Sequence, residues 1–413
     1  MNAAIITIGD EILIGQITDT NAAWIAQQLS RIGFTVRRKY SVGDNADDIR
    51  QVLADAGSLA DLVLITGGLG PTPDDITRKV LFRFFGSKPV VNTDVLYQVE
   101  QFLIQRNVKM NELNRNQAVV ADNCIVIHNE IGTAPGMWFE KNGTVFVSMP
   151  GVPFEMKQMM ETTLLGKFAE TFKTPVIIHT NILTTGIGES MLAEMISDWE
   201  TNLPGSMKLA YLPEPGILKL RITASGSNRE ILMEEIRGKI ESLKLIIGKY
   251  IFGIDDQNIE GIIGQLLTDS GKTISVAESC TGGSIGKALT SVAGSSAYFR
   301  GGIIAYSNDI KSQFLSVTDE MLQDHGAVSS MVVEQMAKAV RKNFGSDLSI
   351  AVSGIAGPGG GTSEKPVGTT WIAVASAERV ISKRFLFGEH RGRNITKATI
   401  AALNMLRKFM MEM

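Results

Sequence analysis

The sequence contains few of the residues on which disulfide scaffolds, zinc sites and nucleic-acid interfaces depend. Its 413 residues include two cysteines, Cys124 and Cys280, and four scattered histidines. We therefore expect neither a disulfide framework nor a zinc site. The formal net charge is −3, which leaves no basic surplus to neutralise a phosphate backbone. Nucleic-acid binding is accordingly not expected.

Long hydrophobic runs and low-complexity tracts are also absent. No apolar stretch approaches the ~20 residues that a membrane helix requires, so we expect a cytoplasmic protein that does not enter a membrane. The chain is 44% hydrophobic and 20% charged, which is typical of a folded protein. Because 413 residues exceed what one compact core accommodates, we predict two or three domains.

Strand-like and helical segments alternate along both ends of the chain. Residues 1–170 contain apolar strands at 3–8, 62–66 and 145–149, with amphipathic helices between them. This alternation predicts a three-layer α/β domain with a largely parallel sheet. Residues 171–254 predict a small α+β domain of two strands and two helices. The alternation resumes in residues 255–413, which predict a second three-layer α/β domain.

The most informative segment of the chain is residues 277–283 (AESCTGG), which follow a strand-like run and precede a helical pattern. Ser279 then lies where a strand gives way to a helix N-terminus, whose unpaired N–H groups can bind a developing oxyanion. Lys311 and Tyr306 supply an amine and a phenol, which can activate a serine where no histidine is nearby. Lys311 can act as a base only if its pKa falls below its usual ~10.4. We interpret this pattern as a serine–lysine hydrolase.

Other interpretations of the same segment remain open. A serine at the start of a helix is more often a cap than a nucleophile. Cys280 carries the better nucleophile and could use His325 or His390 as its base, although a cysteine at such a position is more often a core residue. Arg391 could lower the pKa of Lys311, or it could bind a substrate phosphate.

A ring of small and polar residues is expected around Ser279. The members of this ring are Thr281, Gly282, Gly283, Ser296 and Ser353. Backbone N–H groups around Thr281, Gly282 and Gly283 would be the oxyanion donors, because glycines permit close approach. The glycine-rich loop that runs from 357–361 through 366–368 would act as a lid over the site.

Six motifs in this part of the chain closely resemble, in order, those of the nicotinamide mononucleotide deamidase family. They are 277–283 (AESCTGG), 293–296 (AGSS), 306–308 (YSN), 325–329 (HGAVS), 353–358 (SGIAGP) and 365–369 (KPVGT). The resemblance implies hydrolysis of nicotinamide mononucleotide to nicotinic acid mononucleotide and ammonia, without a cofactor.

The same resemblance implies a role for each matched residue. Ser279 would be the nucleophile, Lys311 the base and Tyr306 the assisting phenol. The residues that would surround the substrate are Ser296, Ser353 and Arg391. The chain has Gly-Glu-His-Arg before Arg391 where the family more commonly has Gly-Asp-Arg, which makes Arg393 a rival for that role.

Two glycine-rich loops with clustered carboxylates follow strands of the N-terminal segment, at 9–15 (GDEILIG) and 66–75 (TGGLGPTPDD). Glycines let a backbone approach a phosphate, but the carboxylates would repel that phosphate unless a hard cation bridges them. We therefore predict a site for Mg²⁺ or a similar divalent cation. Its predicted ligands are Asp10, Glu11, Asp74 and Asp75, and the predicted phosphate contacts are Gly67, Gly68 and Gly70. The alternative is that Asp74 and Asp75 cap the following helix.

These loops, with 132–136 (GTAPG) and 150–156 (PGVPFEM), resemble the molybdopterin-binding fold of molybdenum-cofactor proteins. Joined to a deamidase half, the combination resembles the CinA (competence/damage-inducible) family over essentially the whole chain. That resemblance implies metal-dependent hydrolysis of ADP-ribose to AMP and ribose 5-phosphate by residues 1–170, with Thr133 as a further substrate contact. It also implies a KH-type domain at 171–254, a deamidase domain at 255–413 and a homodimer.

Two alternatives to this bifunctional enzyme stay open. The N-terminal half could bind a nucleotide or pterin as a regulatory module without turnover. The family name also suggests a structural role in DNA uptake, against which the near-neutral charge argues.

Overall fold

The computed structural model describes residues 1–72 and 75–412. Asp74, a predicted cation ligand, therefore lies outside the described residues. The chain divides into two compact units, Met1–Ile178 with Ser225–Leu232, and His179–Ala224 with Met233–Met413. No helix in the described part of the chain combines the length and the apolar character needed to cross a membrane.

The N-terminal domain is built around a six-stranded sheet. Its elements in chain order are β1 (Asn2–Ile8), α1 (Asp10–Leu13), α2 (Thr20–Arg31), β2 (Thr35–Val42), α3 (Ala46–Leu59), β3 (Leu62–Thr66), α4 (Thr77–Phe85), β4 (Pro89–Val91), α5 (Thr93–Gln105), α6 (Glu112–Asn116), β5 (Val119–Ala121), β6 (Ile125–Ile127), β7 (Gly136–Lys141), β8 (Thr144–Met149), α7 (Pro153–Met159), a π-helical turn (Met160–Leu164) and α8 (Leu165–Thr171). The strand order is β2-β1-β3-β8-β7-β6. Strands β2, β1, β3 and β8 are parallel, whereas β7 and β6 pair antiparallel.

Helices cover both faces of this sheet, which explains why its central strands are continuous apolar runs. Every residue of β3 is buried, as is all of β1 except Asn2. Ile25 and Leu29 of α2 pack in the core on one face, together with residues of α7 and α8. Ile49 and Leu53 of α3 pack in the core on the other face, together with residues of α4. The prediction of a three-layer α/β domain is confirmed.

The middle domain is a small α+β domain. Its elements are β9 (Val176–Thr184), α9 (Glu189–Thr201), β10 (Met207–Glu214), β11 (Ile217–Gly226), α10 (Arg229–Ile247) and β12 (Ile251–Ile254). They form one four-stranded sheet of order β10-β11-β9-β12. The β10–β11 and β12–β9 pairs are antiparallel. Buried and part-exposed residues alternate along most of β11, as expected for a sheet with only one face covered.

The C-terminal domain is a second α/β domain with a five-stranded sheet. Its elements are α11 (Ile259–Asp269), β13 (Ile274–Glu278), α12 (Ser284–Thr290), a 3₁₀ turn (Ser295–Ala297), β14 (Phe299–Ile304), α13 (Asn308–Leu315), α14 (Asp319–His325), α15 (Ser330–Phe344), β15 (Leu348–Gly354), β16 (Thr369–Ala375), β17 (Val380–Leu386) and α16 (Arg391–Met411). The strand order is β14-β13-β15-β16-β17. The first three strands are parallel, and β16 and β17 are antiparallel.

The register of the three parallel strands brings their carboxyl ends to one edge of the sheet. Glu278 of β13 pairs with Ile304 of β14 on one side and with Val352 of β15 on the other. The residues that follow these strands therefore converge, which is where ligands gather in open α/β sheets.

Candidate functional site

The loop that carries Ser279 lies at this sheet edge between its two neighbouring strands. The Ser279 backbone N–H donates to the Val352 carbonyl at 3.0 Å, and the Ala305 N–H donates to the Glu278 carbonyl at 2.7 Å. The structure thus brings Ser279 next to the segment that leads into Tyr306 on one side and next to Ser353 on the other. Ser279 itself is buried.

Glu278, which the sequence analysis did not identify, holds the Ser279 loop in place. Its side chain is buried, and one carboxylate oxygen accepts from the N–H groups of Gly283 at 3.0 Å and Ile285 at 3.1 Å. The other oxygen accepts from the Gly286 N–H at 2.8 Å. A carboxylate suits these donors because the N-terminus of α12 carries partial positive charge. An acidic residue ending an otherwise apolar strand was the signal that could have revealed it.

These bonds decide between two interpretations of the loop. The N-cap of α12 is Gly283, without a side-chain cap bond, so Ser279 does not cap the helix. Two of the amides predicted as oxyanion donors, those of Gly282 and Gly283, already have acceptors in the protein. The Gly282 N–H donates to the Ser279 carbonyl at 3.1 Å, and that of Gly283 donates to Glu278. Within the described residues, the buried Thr281 Oγ1 has no hydrogen-bond partner.

Lys311 lies buried on α13 with its amine directed back to the start of that helix. Nζ donates to the Tyr306 carbonyl at 3.3 Å and to the Ser307 carbonyl at 3.5 Å. Burial lowers the pKa of Lys311, and the nearby Cys280 and Asp309 oppose that shift. No carboxylate in residues 1–72 and 75–412 forms an ion pair with this amine. The shift is in the direction that a base at neutral pH requires.

Cys280 is a core residue in this structure. Its side chain belongs to the same apolar cluster as Val352 and Ala356. Burial, with the Glu278 charge, raises the pKa of the thiol to about 12, against the opposing effects of Arg391 and Lys311. A thiol with that pKa is protonated at neutral pH and is a poor nucleophile.

Of the two histidines considered as bases for Cys280, His390 has a ring nitrogen engaged in a helix cap, and His325 has a contact through its backbone carbonyl. Nδ1 of His390 accepts from the Arg393 N–H at 3.3 Å and thereby caps α16. The His325 carbonyl accepts from Nζ of Lys365 at 2.7 Å, which ties the glycine-rich loop to the end of α14.

Arg391 is the arginine that reaches Tyr306. Its Nη2 donates to the Tyr306 hydroxyl at 3.0 Å, and its Nη1 donates to the Gly357 carbonyl at 2.9 Å. Tyr306 is 60% exposed and so lies at the rim of the site. Arg393, the rival, contributes its backbone N–H to the helix cap.

The two further serines of the predicted ring differ in their surroundings. Ser353 is buried, and its hydroxyl donates to the Ala327 carbonyl at 2.6 Å, which anchors the loop before α15. Ser296 is exposed in the 3₁₀ turn between α12 and β14. In the predicted lid, residues 358–364 are exposed. Asn394, which was not predicted, holds the lid base by donating to the Ala356 carbonyl at 3.0 Å.

The glycine loops of the N-terminal domain border a cavity of about 510 Å³. Its lining includes the predicted residues Glu11, Gly67, Gly68, Gly70, Asp75 and Thr133. It also includes Asp44 and Glu155, which were not predicted. Gly67 has a φ of +111°, and a Cβ there would lie 2.0 Å from the Ile8 carbonyl oxygen, so only glycine fits this turn.

Negative charge dominates one side of this cavity. Burial raises the pKa of Asp44, and the carboxylates of Asp10, Glu11 and Asp75 raise it further. A hydrogen bond with the Asp10 backbone lowers this pKa and so opposes part of the shift. Oδ1 of Asp10 accepts from the Asp44 N–H at 3.2 Å. The carboxylates of Asp10, Glu11 and Asp75 are therefore close enough to disfavour ionisation of Asp44.

Asp75 closes a turn and does not cap α4. Its Oδ2 accepts from the Thr72 N–H at 3.0 Å and also from the Thr72 hydroxyl. The N-cap of α4 is Ile76, with no side-chain cap bond. Within residues 1–72 and 75–412, no three side chains of histidine, cysteine, aspartate or glutamate are arranged to hold one metal ion.

Comparison with known proteins finds three family models along the chain. They are the probable molybdopterin binding domain at residues 4–170, the damage-inducible protein CinA KH domain at 179–253 and the CinA C-terminal domain at 256–410.

Proteins with similar sequences match over nearly the full length. A CinA-like protein of Cytophaga hutchinsonii is 50% identical over 99% of this chain and 98% of its own length. A CinA-like protein of Flavobacterium psychrophilum is 46% identical over the same shares of the two chains. Among solved structures, the competence/damage inducible protein CihA from Agrobacterium tumefaciens is 38% identical. That match covers 38% of this chain and 98% of the other, with a TM-score of 0.36.

Proposed function

Because the chain belongs to the CinA family, we propose that its C-terminal domain is an amidohydrolase that converts nicotinamide mononucleotide to nicotinic acid mononucleotide and ammonia. The observation that carries this proposal is the buried amine of Lys311, whose pKa is lowered beside the Ser279 loop. A buried lysine without an ion-pair partner destabilises a fold, so its presence is better explained by chemistry than by stability.

In the proposed reaction, neutral Lys311 takes the proton from the Ser279 hydroxyl as Oγ attacks the carboxamide carbon. The resulting tetrahedral intermediate collapses when the lysine ammonium protonates the leaving nitrogen, which departs as ammonia. Water then attacks the acyl-serine ester, giving up a proton to Lys311, and releases the carboxylic acid while restoring the serine. Each proton that the lysine takes is returned within the cycle.

The remaining roles follow from the positions and contacts of the other side chains. We assign oxyanion stabilisation to Thr281, because its buried hydroxyl has no partner in the described residues. Arg391 is the proposed contact for the substrate phosphate, because its guanidinium lies at the rim beside Tyr306. Tyr306 would assist proton transfer from that rim. Ser353 would orient the site through Ala327 and contact substrate only as an acceptor.

The test is ammonia release from nicotinamide mononucleotide by the native protein, Ser279→Ala and Cys280→Ala. We expect release to survive in Cys280→Ala and to disappear in Ser279→Ala, with both variants folded by circular dichroism. If native protein releases no ammonia, the deamidase proposal fails. Loss of activity in folded Cys280→Ala with retention in Ser279→Ala would assign the chemistry to the thiol instead.

For the N-terminal domain we propose hydrolysis of ADP-ribose to AMP and ribose 5-phosphate. The supporting observation is the cavity of about 510 Å³, which combines a glycine turn at Gly67 and Gly68 with several carboxylates. Glycines permit close approach of a pyrophosphate, and Thr133 adds a hydroxyl to the lining. The competing proposal is a regulatory module that binds a nucleotide or pterin without turnover.

The residues of this cavity fit a divalent cation that is shared with a substrate. Burial raises the pKa of Asp44, and the nearby carboxylates of Asp10, Glu11 and Asp75 raise it further, which is the environment that a cation would stabilise. Mg²⁺ is commonly held by one or two carboxylates together with water and substrate phosphates, so a closed protein cage is not needed. One or two of the lining carboxylates Glu11, Asp44 and Asp75 would hold it, with water and the substrate phosphates completing its coordination. The cation, when bound, would neutralise the pyrophosphate.

The discriminating experiment measures AMP release from ADP-ribose with and without Mg²⁺. We expect the native protein to release AMP from ADP-ribose when Mg²⁺ is present. The charge-matched control Asp324→Asn, which alters an exposed residue of α14, should do the same. Asp75→Asn is expected to lose most of that activity. Binding of ADP-ribose by calorimetry without AMP release would favour the regulatory module.

We also propose a homodimer, which analytical ultracentrifugation of the full chain tests.

A further inference from the structure

A groove of about 780 Å³ in the second compact unit lies away from Ser279 and its partners. The middle domain contributes the loop that leads into α9 and the turn between β10 and β11. The C-terminal domain contributes β17 and α16. None of the residues assigned to the proposed deamidation lines this groove, so its chemistry needs a separate explanation.

One wall of the groove is aromatic and apolar. Phe385 and Phe387 are stacked, with ring centroids 5.4 Å apart and an interplanar angle of 13°. Met405 and Phe409 of α16 line the same groove. Stacked rings beside a flexible thioether offer a surface against which a planar ring can pack.

The ionisable groups of the groove carry an excess of positive charge. Arg379 pairs with Glu412 at 3.0 Å, and Glu214 pairs with Lys219. Lys383 and Lys408, by contrast, form no ion pair within the described part of the chain.

The environment of Lys408 reports the same imbalance. Burial lowers its pKa, and the charges of Arg407, Lys383 and Lys249 lower it further, with Glu412 as the opposing carboxylate. Cations that disfavour the charge of Lys408 would be stabilised by an anion among them. Lys397 lines the groove as well, but its amine donates to the Phe387 carbonyl at 3.2 Å.

A helix N-terminus faces the same groove. Gly188, the N-cap of the 13-residue helix α9, makes no side-chain cap bond, and it lines the groove with Gly186. N–H groups at such an end favour an anion, although Glu189 in the first turn offsets part of that effect.

We propose that this groove binds a small planar aromatic molecule that carries an anionic group. The ring would pack against Phe385 and Phe387, and the anion would lie between Lys383 and Lys408. A bare inorganic anion would bind weakly because it cannot pack against the apolar wall. A neutral ring would also bind weakly because it cannot form an ion pair with Lys383 or Lys408. The site is separate from both proposed active sites.

The probe for the test is 1-anilinonaphthalene-8-sulfonate, whose fluorescence rises in apolar surroundings, titrated into the full-length protein. We expect saturable binding that weakens at least ~10-fold in Lys383→Gln/Lys408→Gln, because charge-assisted contacts are lost. The matched control Lys338→Gln/Lys342→Gln removes the same charge from exposed positions of α15 and should bind as the native protein does. The neutral analogue N-phenyl-1-naphthylamine should bind native protein weakly and be insensitive to both double variants.

A second variant keeps the test decisive if the lysine variant does not fold. Ala401→Phe fills the groove from α16 without changing its charge and should abolish sulfonate binding. Near-ultraviolet circular dichroism checks that each variant is folded. Native-like affinity in folded Ala401→Phe, or in folded Lys383→Gln/Lys408→Gln, would overturn the proposal. Such a result would place the probe elsewhere, for example in the N-terminal cavity.

Discussion

Replacing Glu278 by glutamine tests whether the buried carboxylate holds the Ser279 loop. The glutamate accepts three backbone N–H groups, from Gly283, Ile285 and Gly286, at distances of 2.8 to 3.1 Å. Glutamine has nearly the same shape, but it can present only one oxygen. In its better orientation that oxygen keeps the hydrogen bonds from the N–H groups of Gly283 and Ile285. The amide nitrogen of the glutamine then faces the N–H of Gly286, and the two donors cannot form a hydrogen bond.

The magnitude follows from what glutamine loses. One charge-assisted bond is worth roughly 1.5–3 kcal/mol. The lost negative charge at the N-terminus of α12 adds roughly 0.3–1 kcal/mol. We therefore expect the free energy of unfolding to fall by about 2–4 kcal/mol. Glu278→Ala would leave all three amides unsatisfied and is a poorer test because it endangers folding.

The effect on activity should appear in kcat. Glu278 touches the loop and not the substrate, so it is a positioning residue. A displacement of ~1 Å at a reacting group lowers the rate about 10²-fold, so we expect kcat for ammonia release to fall by roughly that factor with little change in KM. Urea unfolding and steady-state kinetics measure the two effects. The control Glu235→Gln alters an exposed residue of α10 and should change stability by less than about 0.5 kcal/mol.

Two outcomes would refute parts of this reasoning. Native stability in Glu278→Gln would mean that the carboxylate does not hold the loop. Reduced stability with native kcat would mean that the network stabilises the fold without setting the position of Ser279. The unfolding measurement does not depend on the proposed deamidation, so it remains informative even if the native protein releases no ammonia.

Three further predictions concern ionisable groups. Lys311→Met should lose at least about 10²-fold in ammonia release. Because burial lowers the pKa of Lys311, the native fold binds fewer protons than the unfolded chain between that lowered pKa and ~10.4, and stability should rise with pH across this interval. Lys311→Met should therefore be at least as resistant to urea as the native protein at pH 7 and should lose that advantage by pH 10. Burial raises the pKa of Cys124 to about 11 and that of Cys280 to about 12. Iodoacetamide at pH 8 should therefore label neither cysteine quickly in the folded protein. Rapid labelling, detected by mass spectrometry, would contradict this prediction. The pKa of Asp44 is raised in the folded protein, so this residue lowers stability increasingly as pH rises above ~3.9. Asp44→Asn should therefore have a higher melting temperature than the native protein at pH 7 without Mg²⁺. Adding Mg²⁺ should raise the melting temperature of this variant by less than it raises that of the native protein.

The central strands could be predicted from the sequence, whereas the edge strands could not. Strand β3 is entirely buried and reads as the apolar run Leu-Val-Leu-Ile-Thr, which coincides with the predicted 62–66. Strand β2 lies at the edge of the sheet, and its residues Arg37, Arg38 and Lys39 are exposed. It therefore contains no apolar run that would mark it as a strand. The antiparallel strands β7 and β17 are set by tertiary pairing, which leaves no periodic trace in the sequence.

The site was predictable where side chains carry the chemistry and not where backbone does. Lys311 and Arg391 were identified because an amine and a guanidinium have few substitutes. Glu278 was missed because its partners are backbone amides, which every residue possesses. For the same reason the sequence did not show that the Gly282 and Gly283 amides, predicted as oxyanion donors, have acceptors within the protein. A glycine indicates that a chain can approach a ligand, but not which way its N–H points.

The two candidate sites occupy equivalent positions at the carboxyl ends of parallel strands, yet they present opposite electric fields. At the C-terminal site the buried carboxylate of Glu278 accepts from backbone amides, and the cations Lys311 and Arg391 outnumber the exposed carboxylate of Asp309. At the N-terminal site the ionisable groups that influence Asp44 are all carboxylates. A substrate phosphate is therefore attracted at the first site and repelled at the second unless a cation accompanies it. It follows that ADP-ribose turnover should depend on divalent cation concentration, and that deamidation in the same full-length protein should not.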